Sequence, residues 1–312
     1  MAHDINSIAY TNAVPWHGLG NRVTPGASIE TWAREAGMSW TVDRAAVQFV
    51  PGGGGGLMHS SPDHHVLYRS DTHAPLAVVS PRFKPVQPAE VLEFFREFAE
   101  AGHLSIETAG CLRGGATLWA LARTNRELDM GGDVVRGYYL LTTANDGRAA
   151  TVATATSVRV VCANTLKQAL AHPVDPITVR HTTRFDVSSV SRRLAGADAE
   201  WATFAESVRL MAAARLTRMD AKELTRKALK LDADDVETSR GYHKIMSLFD
   251  GHGRGSRMDS TYRTAWGWLN AVTEYVDHHA IERKAGGRLH AAWLGAGDAL
   301  KTEASRLAVA VA

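Results

Sequence analysis

The sequence predicts an α+β fold: an N-terminal antiparallel β-meander with helices, a strand-strand-strand-helix core, followed by an all-helical C-terminal region. Three observations predict it. Between residues 104 and 162 four β-rich runs follow one another, joined by short turns that carry glycine. From 186 to 312 no stretch alternates as a strand does, while apolar residues recur at helical spacing. Near 175–186, Pro173, Pro176 and the polar run after them interrupt the periodicity, which divides the chain into a core domain over 1–178 and a helical region over 179–312. Strands followed by helices belong to α+β architectures rather than to doubly wound ones.

The elements follow in order. "SIETWAREAG" is a helix with Ser28 as N-cap and Gly37 just past its end. "WTV" and "AAVQFV" are short strands, and "PGGGGG" at 51–56 is a connection. "HHVLYRS" and "LAVVS" flank the turn "DTHAP" as a hairpin. "PAEVLEFFREFAEAG" is an amphipathic helix with Pro88 in its first turn and Val91, Leu92, Phe95 and Phe98 on one stripe. "LSIETAGCL" and "ATLWALART" form one hairpin about "RGG"; "VVRGYYLLTT" and "ATVATATSVRVVC" form a second about "ANDGRA". "NTLKQALA" is expected to close the meander as a helix capped by Asn164. Five helical segments follow, one with Asp220 and Glu223 spaced as a capping box.

The totals exclude several classes. With 312 residues, 45% of them hydrophobic and 22% charged, the chain is long enough to bury a large core. A net charge of +2 excludes a uniformly basic coat but leaves room for a local basic face. Two cysteines, Cys111 and Cys162, without a CxxC exclude a disulfide framework and suit a reducing compartment. No basic-then-apolar leader and no run of membrane-spanning length stand in the sequence, so the expectation is a cytoplasmic protein with no membrane partner.

The strand ending in "RVVC" carries the first functional question. Alternation puts Cys162 with Val152, Val158 and Val160 on an apolar side, where a cysteine acts as a small buried hydrophobe rather than a nucleophile. The other side reads Ala153, Ala155, Ser157, Arg159, Val161. Such a face either lines a groove for a polyanion with Arg159 on phosphate, or takes a closely packed helix with Arg159 paired to a carboxylate at the rim. Tyr138 and Tyr139 point to opposite faces of one strand; Tyr138 and Trp119 are candidate stacking platforms for nucleobases, against the alternative of packing in the sheet core. From Arg180 to Lys230 the chain holds eleven Lys/Arg against six Asp/Glu, a local excess of five positive charges. "GHGRGSRMDS" at 251–260 is glycine-rich and basic, but no Lys-Ser/Thr follows its glycines as in a Walker loop. "GLGNRV" and the pentaglycine lack the strand–turn–helix context of a dinucleotide site. No nucleotide or other cofactor is expected.

Four stretches, "PWHGLG", "GMSWTVDRAAV", "RVVCANTLKQAL" and "TAWGWLNAVTEYVDHH", resemble in sequence and in order the phage/plasmid-like family catalogued as domain of unknown function 932. Trp16, Gly18, Trp40, Cys162, Asn164, Asn270, Glu274, Asp277 and His278 carry the likeness. It implies a gene of a phage, prophage or plasmid, with an Ala/Arg-rich composition that suits a high-GC actinobacterial host. The order of elements is similar to the core of single-strand annealing proteins of the Rad type and of the phage Erf and Red-beta kinds. Those assemble into rings or filaments and hold the DNA backbone in a basic groove.

Together these readings lead to a non-enzymatic, homo-oligomeric protein of the host cytoplasm that binds single-stranded DNA and anneals it in recombination. Arg159, Arg148, Arg136, Arg123, Arg113 and Lys167 are the expected phosphate contacts, with Tyr138 and Trp119 as stacking platforms. Two rivals stand beside it: an anti-restriction or anti-defence protein that binds a host factor, and a metal-dependent nuclease using Asp277, His278 and Glu282.

Overall fold

A computed structural model describes residues 5–11, 19–51, 56–100, 104–159, 164–167, 177–182, 186, 198–280 and 296–312. The α+β fold is as expected, with strands first and helices after. Its largest sheet runs β10-β9-β8-β7-β6-β1-β2. In chain order these are β1 (Ile5–Tyr10), β2 (Asn21–Arg22), β6 (Leu104–Leu112), β7 (Thr117–Asp129), β8 (Val134–Ala144), β9 (Thr151–Arg159) and β10 (Asn164–Lys167). A further strand, β11 (Ile177–Val179), pairs with β9 as well. Both sequence hairpins are present, so β6 to β9 form an antiparallel meander. A second sheet of three antiparallel strands holds β3 (Val42–Phe49), β4 (His59–Arg69) and β5 (Pro75–Val79).

Two helices cover one side of the meander. In α1 (Ile29–Glu35) the Ser28 hydroxyl accepts the Thr31 N–H, the cap the sequence predicts. In α2 (Pro88–Glu100) proline fills the first position, and the Glu90 carboxylate accepts the Gln87 N–H, ordering the first turn from outside. Val91, Leu92 and Phe95 of the predicted stripe, joined by Phe94, are fully buried against Ala109, Ala120, Ala122, Ala153 and Ala155 of the strands. Small strand residues let the phenyl rings approach closely, each buried large apolar side chain contributing about 1.5–3 kcal/mol.

Two expectations are overturned. Residues Asn164–Lys167 are a strand, not the start of a helix: Asn164 pairs with Arg159 and Lys167 with Thr156. The outward-facing backbone groups along β9 supply hydrogen-bond partners at alternate residues, and helix propensity in "TLK" is too weak a preference to resist them. The capping box near residue 220 sits one turn earlier than its spacing implied. Thr217 is the N-cap of α4 (Arg218–Leu229) and Asp220 reaches back to it, while Glu223 holds Arg226. Strands β1 and β10 flank the meander, so the sheet ends at β2 and β10 rather than at β6 and β9.

The helical region packs α3 (Asp198–Ala213), α4, α5 (Arg240–Ser247), α6 (Ala265–Glu274) and α7 (Ala296–Ala310) about Phe204, Val208, Met211, Ile245, Trp268, Leu269 and Val272. Helices α5 and α6 each run on into a π-helical turn, at Leu248–His252 and Tyr275–His279. Gly267 is required in α6, since a β-carbon there would run into the Thr261 carbonyl. Leu128 and Val135, at the far end of the β7–β8 hairpin, belong to this helical core. At the hairpin's tip Asp133 is buried and accepts hydrogen bonds from Ser260 and Trp266. The sheet thus reaches into the helices through one long hairpin. Across the expected division at 178/179, His181 stacks on Phe83 at 4.4 Å, its ring nitrogens 3.1 Å from the carbonyls of Lys84 and Ala149.

Candidate nucleic-acid interface

The strand register brings some of the expected contacts together and separates others. Arg123 of β7 stands opposite Tyr138 of β8, Tyr138 opposite Thr156 of β9, and Thr156 opposite Lys167 of β10, one row across four strands. In the next row Arg136 lies between Glu127 and Val158. Two irregularities shape this end of the face. In β6 the register slips between Ile106 and Thr108, leaving Glu107 as the extra residue; in β7 it slips between Arg123 and Glu127. Such bulges redirect side chains. The Thr124 hydroxyl holds the second one, donating to the Gly137 carbonyl and accepting the Arg126 N–H.

The result is an ion triad over a half-buried acid. Glu127 accepts from Arg136 at 2.8 Å and from Arg123 at 3.4 Å. Both arginine side chains keep about a third of their surface in water, at 33% and 31%. Beneath them the Tyr138 hydroxyl donates to the Glu107 carboxylate, 3.1 Å from each oxygen. Burial pushes the Glu107 carboxyl above its ordinary range, against the opposing pull of Tyr138 and the two arginines. Burial, with the Glu107 charge beside it, pushes the Tyr138 phenol up as well. Two guanidinia thus share one exposed carboxylate, held in place on neighbouring strands.

Other expected contacts lie elsewhere. Arg113 pairs with the nearly buried Asp146 at 2.7 Å, and Arg148, 64% exposed, approaches the same carboxylate at 3.6 Å. That pair sits at the β6–β7 end of the meander, about 20 Å along the strand from Arg123. Tyr138 and Trp119 are 3% and 2% exposed and pack with Ile8, Leu112, Leu121 and Leu140, so neither offers a face to a base. This corrects the stacking expectation: both aromatics are buried side by side among apolar strand residues on the sheet face opposite α2. Of the two readings of the 153–161 face, the closely packed helix holds at Ala153 and Ala155, which are buried in the cluster that α2 completes. Arg159 pairs in register with Val135; its side chain, that of Lys167, and Cys162 lie outside the described residues.

Sequence reasoning missed Glu107 and Glu127. The available signal was a glutamate inside each of two otherwise apolar or alternating strands, where a carboxylate needs a cation or hydroxyl nearby.

The glycine-rich loop at 251–260 is turned inward. The Arg254 N–H donates to Glu274 at 2.9 Å, and the hydroxyls of Ser256 and Thr261 donate to Gly253 and Gly255 carbonyls. An internal carboxylate, Glu274, therefore accepts from the backbone of this loop. Asp277 forms a buried ion pair with Lys301. Among the described residues no three His, Cys, Asp or Glu side chains group as metal ligands, and Glu282 lies outside them. Among those residues, too, no helix is long and apolar enough to cross a membrane.

Residues 75–293 match the family described as Domain of unknown function (DUF932). The chain belongs to this family. The DUF932 match runs from the start of β5 past the end of α6, and so contains the triad, the β7–β8 hairpin and the loop it anchors. Of the residues that carried the resemblance, Asn270, Glu274 and Asp277 are buried in or just after α6, where Asn270 donates to the Trp266 carbonyl. No curated protein and no solved structure matches the chain.

Proposed function

We propose that this DUF932 protein binds single-stranded DNA without chemistry on it and promotes annealing of complementary strands in phage or plasmid recombination. The observation that carries the reading is the Arg123–Glu127–Arg136 triad. A phosphate that displaces Glu127 meets two guanidinia already held in place, and contacts of this kind position a strand without reading its sequence. Arg148 is exposed enough to take a further phosphate, and Lys167 stands in the Arg123 row. Contacts made to phosphate leave base edges available for pairing, which annealing requires. Assembly into a ring or filament in the host cytoplasm belongs to the same reading.

A strand-annealing assay tests it. Complementary oligonucleotides carrying a fluorophore and a quencher should anneal faster with protein, without nucleotide or metal. Light scattering should give a mass several times 33.8 kDa. No acceleration, together with no single-strand binding at low salt, would reject the reading and favour a host-factor partner.

A further inference from the structure

We infer that Tyr262, flanked by Arg215 and Arg263, is a base-stacking platform for single-stranded DNA on the helical region. The inference rests on the proposed DNA binding and supplies what the sheet lacks, an aromatic face open to a base.

Tyr262 is 47% exposed, whereas Trp266 and Trp268 nearby in sequence are buried. Two guanidinia lie close to it, one at the ring and one at its backbone carbonyl. Arg263 lies with its Cζ 5.7 Å from the ring centroid, and Arg215 donates to the Tyr262 carbonyl at 2.7 Å. Neither is among the described ion pairs, in contrast to Arg113, Arg123, Arg136 and Arg218. A stacked base with its phosphate between two arginines is the arrangement by which sequence-tolerant single-strand sites gain affinity.

The backbone is built around this placement. The α3–α4 junction pairs with residues 263–265: the Leu216 N–H donates to the Arg263 carbonyl at 2.9 Å, and the Ala265 N–H donates to the Ala214 carbonyl at 2.9 Å. Arg263 itself has φ +53°, a left-handed conformation that costs a residue with a β-carbon about 1 kcal/mol. The platform is also tied to the triad. Ser260, two residues before Tyr262, donates to Asp133 at 2.6 Å, and Asp133 lies three residues before Arg136. Chain geometry alone keeps Tyr262 within about 25 Å of Arg136. One strand can therefore lie with its backbone on the triad and a base on Tyr262.

The test compares oligo-dT with an abasic strand of the same phosphate number. Wild type should prefer oligo-dT; Tyr262→Ala should bind it about tenfold more weakly and lose most of the preference, while Tyr262→Phe retains both. Arg263→Gly separates function from folding. Glycine relieves the left-handed strain, so the melting temperature should hold or rise while DNA binding weakens. Photo-crosslinking of an iodouracil-substituted strand should label the peptide containing Tyr262. If Tyr262→Ala binds both strands as wild type does and label appears elsewhere, the platform is wrong and DNA binding stands. If wild type binds neither strand at low salt, both readings fall.

Discussion

Asp133 accepts a hydrogen bond from the indole of Trp266 at 3.1 Å, across a buried junction between the tip of the β7–β8 hairpin and the start of α6. The same carboxylate oxygen accepts from Ser260 at 2.6 Å. One aspartate thus fixes where the meander meets the helices. Asp133→Ala deprives two buried donors of this acceptor and should cost about 2–4 kcal/mol in denaturant unfolding, with Asp133→Asn costing less because its carbonyl still accepts. An unchanged midpoint in Asp133→Ala would show that the junction is held by apolar packing alone.

Lys301 and Asp277 form a buried pair that ties α7 to the π-helical turn after α6. Replacing Lys301 with methionine removes the cation from a buried carboxylate and should cost about 3–5 kcal/mol. Adding Asp277→Asn should restore most of that loss. A double-mutant cycle by chemical unfolding checks it, and additive losses would contradict a direct coupling.

Glu107 has its carboxyl raised by burial, which sets the sign of its contribution with pH. The folded state holds the proton more tightly than the unfolded one. Its contribution is therefore full below the ordinary glutamate value of 4.5 and is lost as pH rises through the folded value. Glu107→Gln, which keeps an acceptor for Tyr138, should match wild type in acid and become the more stable as pH rises above about 4.5. Melting curves from pH 4 to 8 that stay parallel would refute this.

Much of this architecture was legible because the deciding signals were local. Glycine turns fixed the hairpins, and the Ser28 cap and the Val91–Phe95 stripe fixed α1 and α2. What was not legible depended on partners distant in sequence. Asn164–Lys167 looked helical until an unpaired edge of β9 lay beside it. Tyr138 and Trp119 alternate as exposed aromatics do, and only their packing with Ile8, Leu112, Leu121 and Leu140 from neighbouring strands buries them. For the site, Arg123 and Arg136 were visible as cations in strands, but their shared carboxylate depends on a bulge that sequence does not announce. Tyr262 was silent, because its exposure is set by the pairing of residues 214–216 with 263–265.

Cys111 is fully buried, its thiol pushed up to about 11 by that burial. The thiolate is the reactive form, so iodoacetamide at pH 8 should leave Cys111 unmodified in native protein and alkylate it after denaturation. Peptide mass spectrometry reads this directly. Rapid native labelling of Cys111 would mean that the contact between β1 and β6 opens readily.

The most direct test of the central claim is the salt dependence of oligo-dT binding by fluorescence anisotropy, for wild type and for Arg123→Ala, Arg136→Ala and Glu127→Gln. If the triad receives phosphate, each arginine variant should weaken binding and flatten the log–log slope by roughly 0.7 per lost contact, with little change in melting temperature because partly exposed pairs contribute about 1 kcal/mol or less. Glu127→Gln should bind more tightly and show the steeper slope, since the chain's own occupant of the receptor is gone. Wild-type binding that is absent at low salt, or a Glu127→Gln variant no tighter than wild type, would contradict the account.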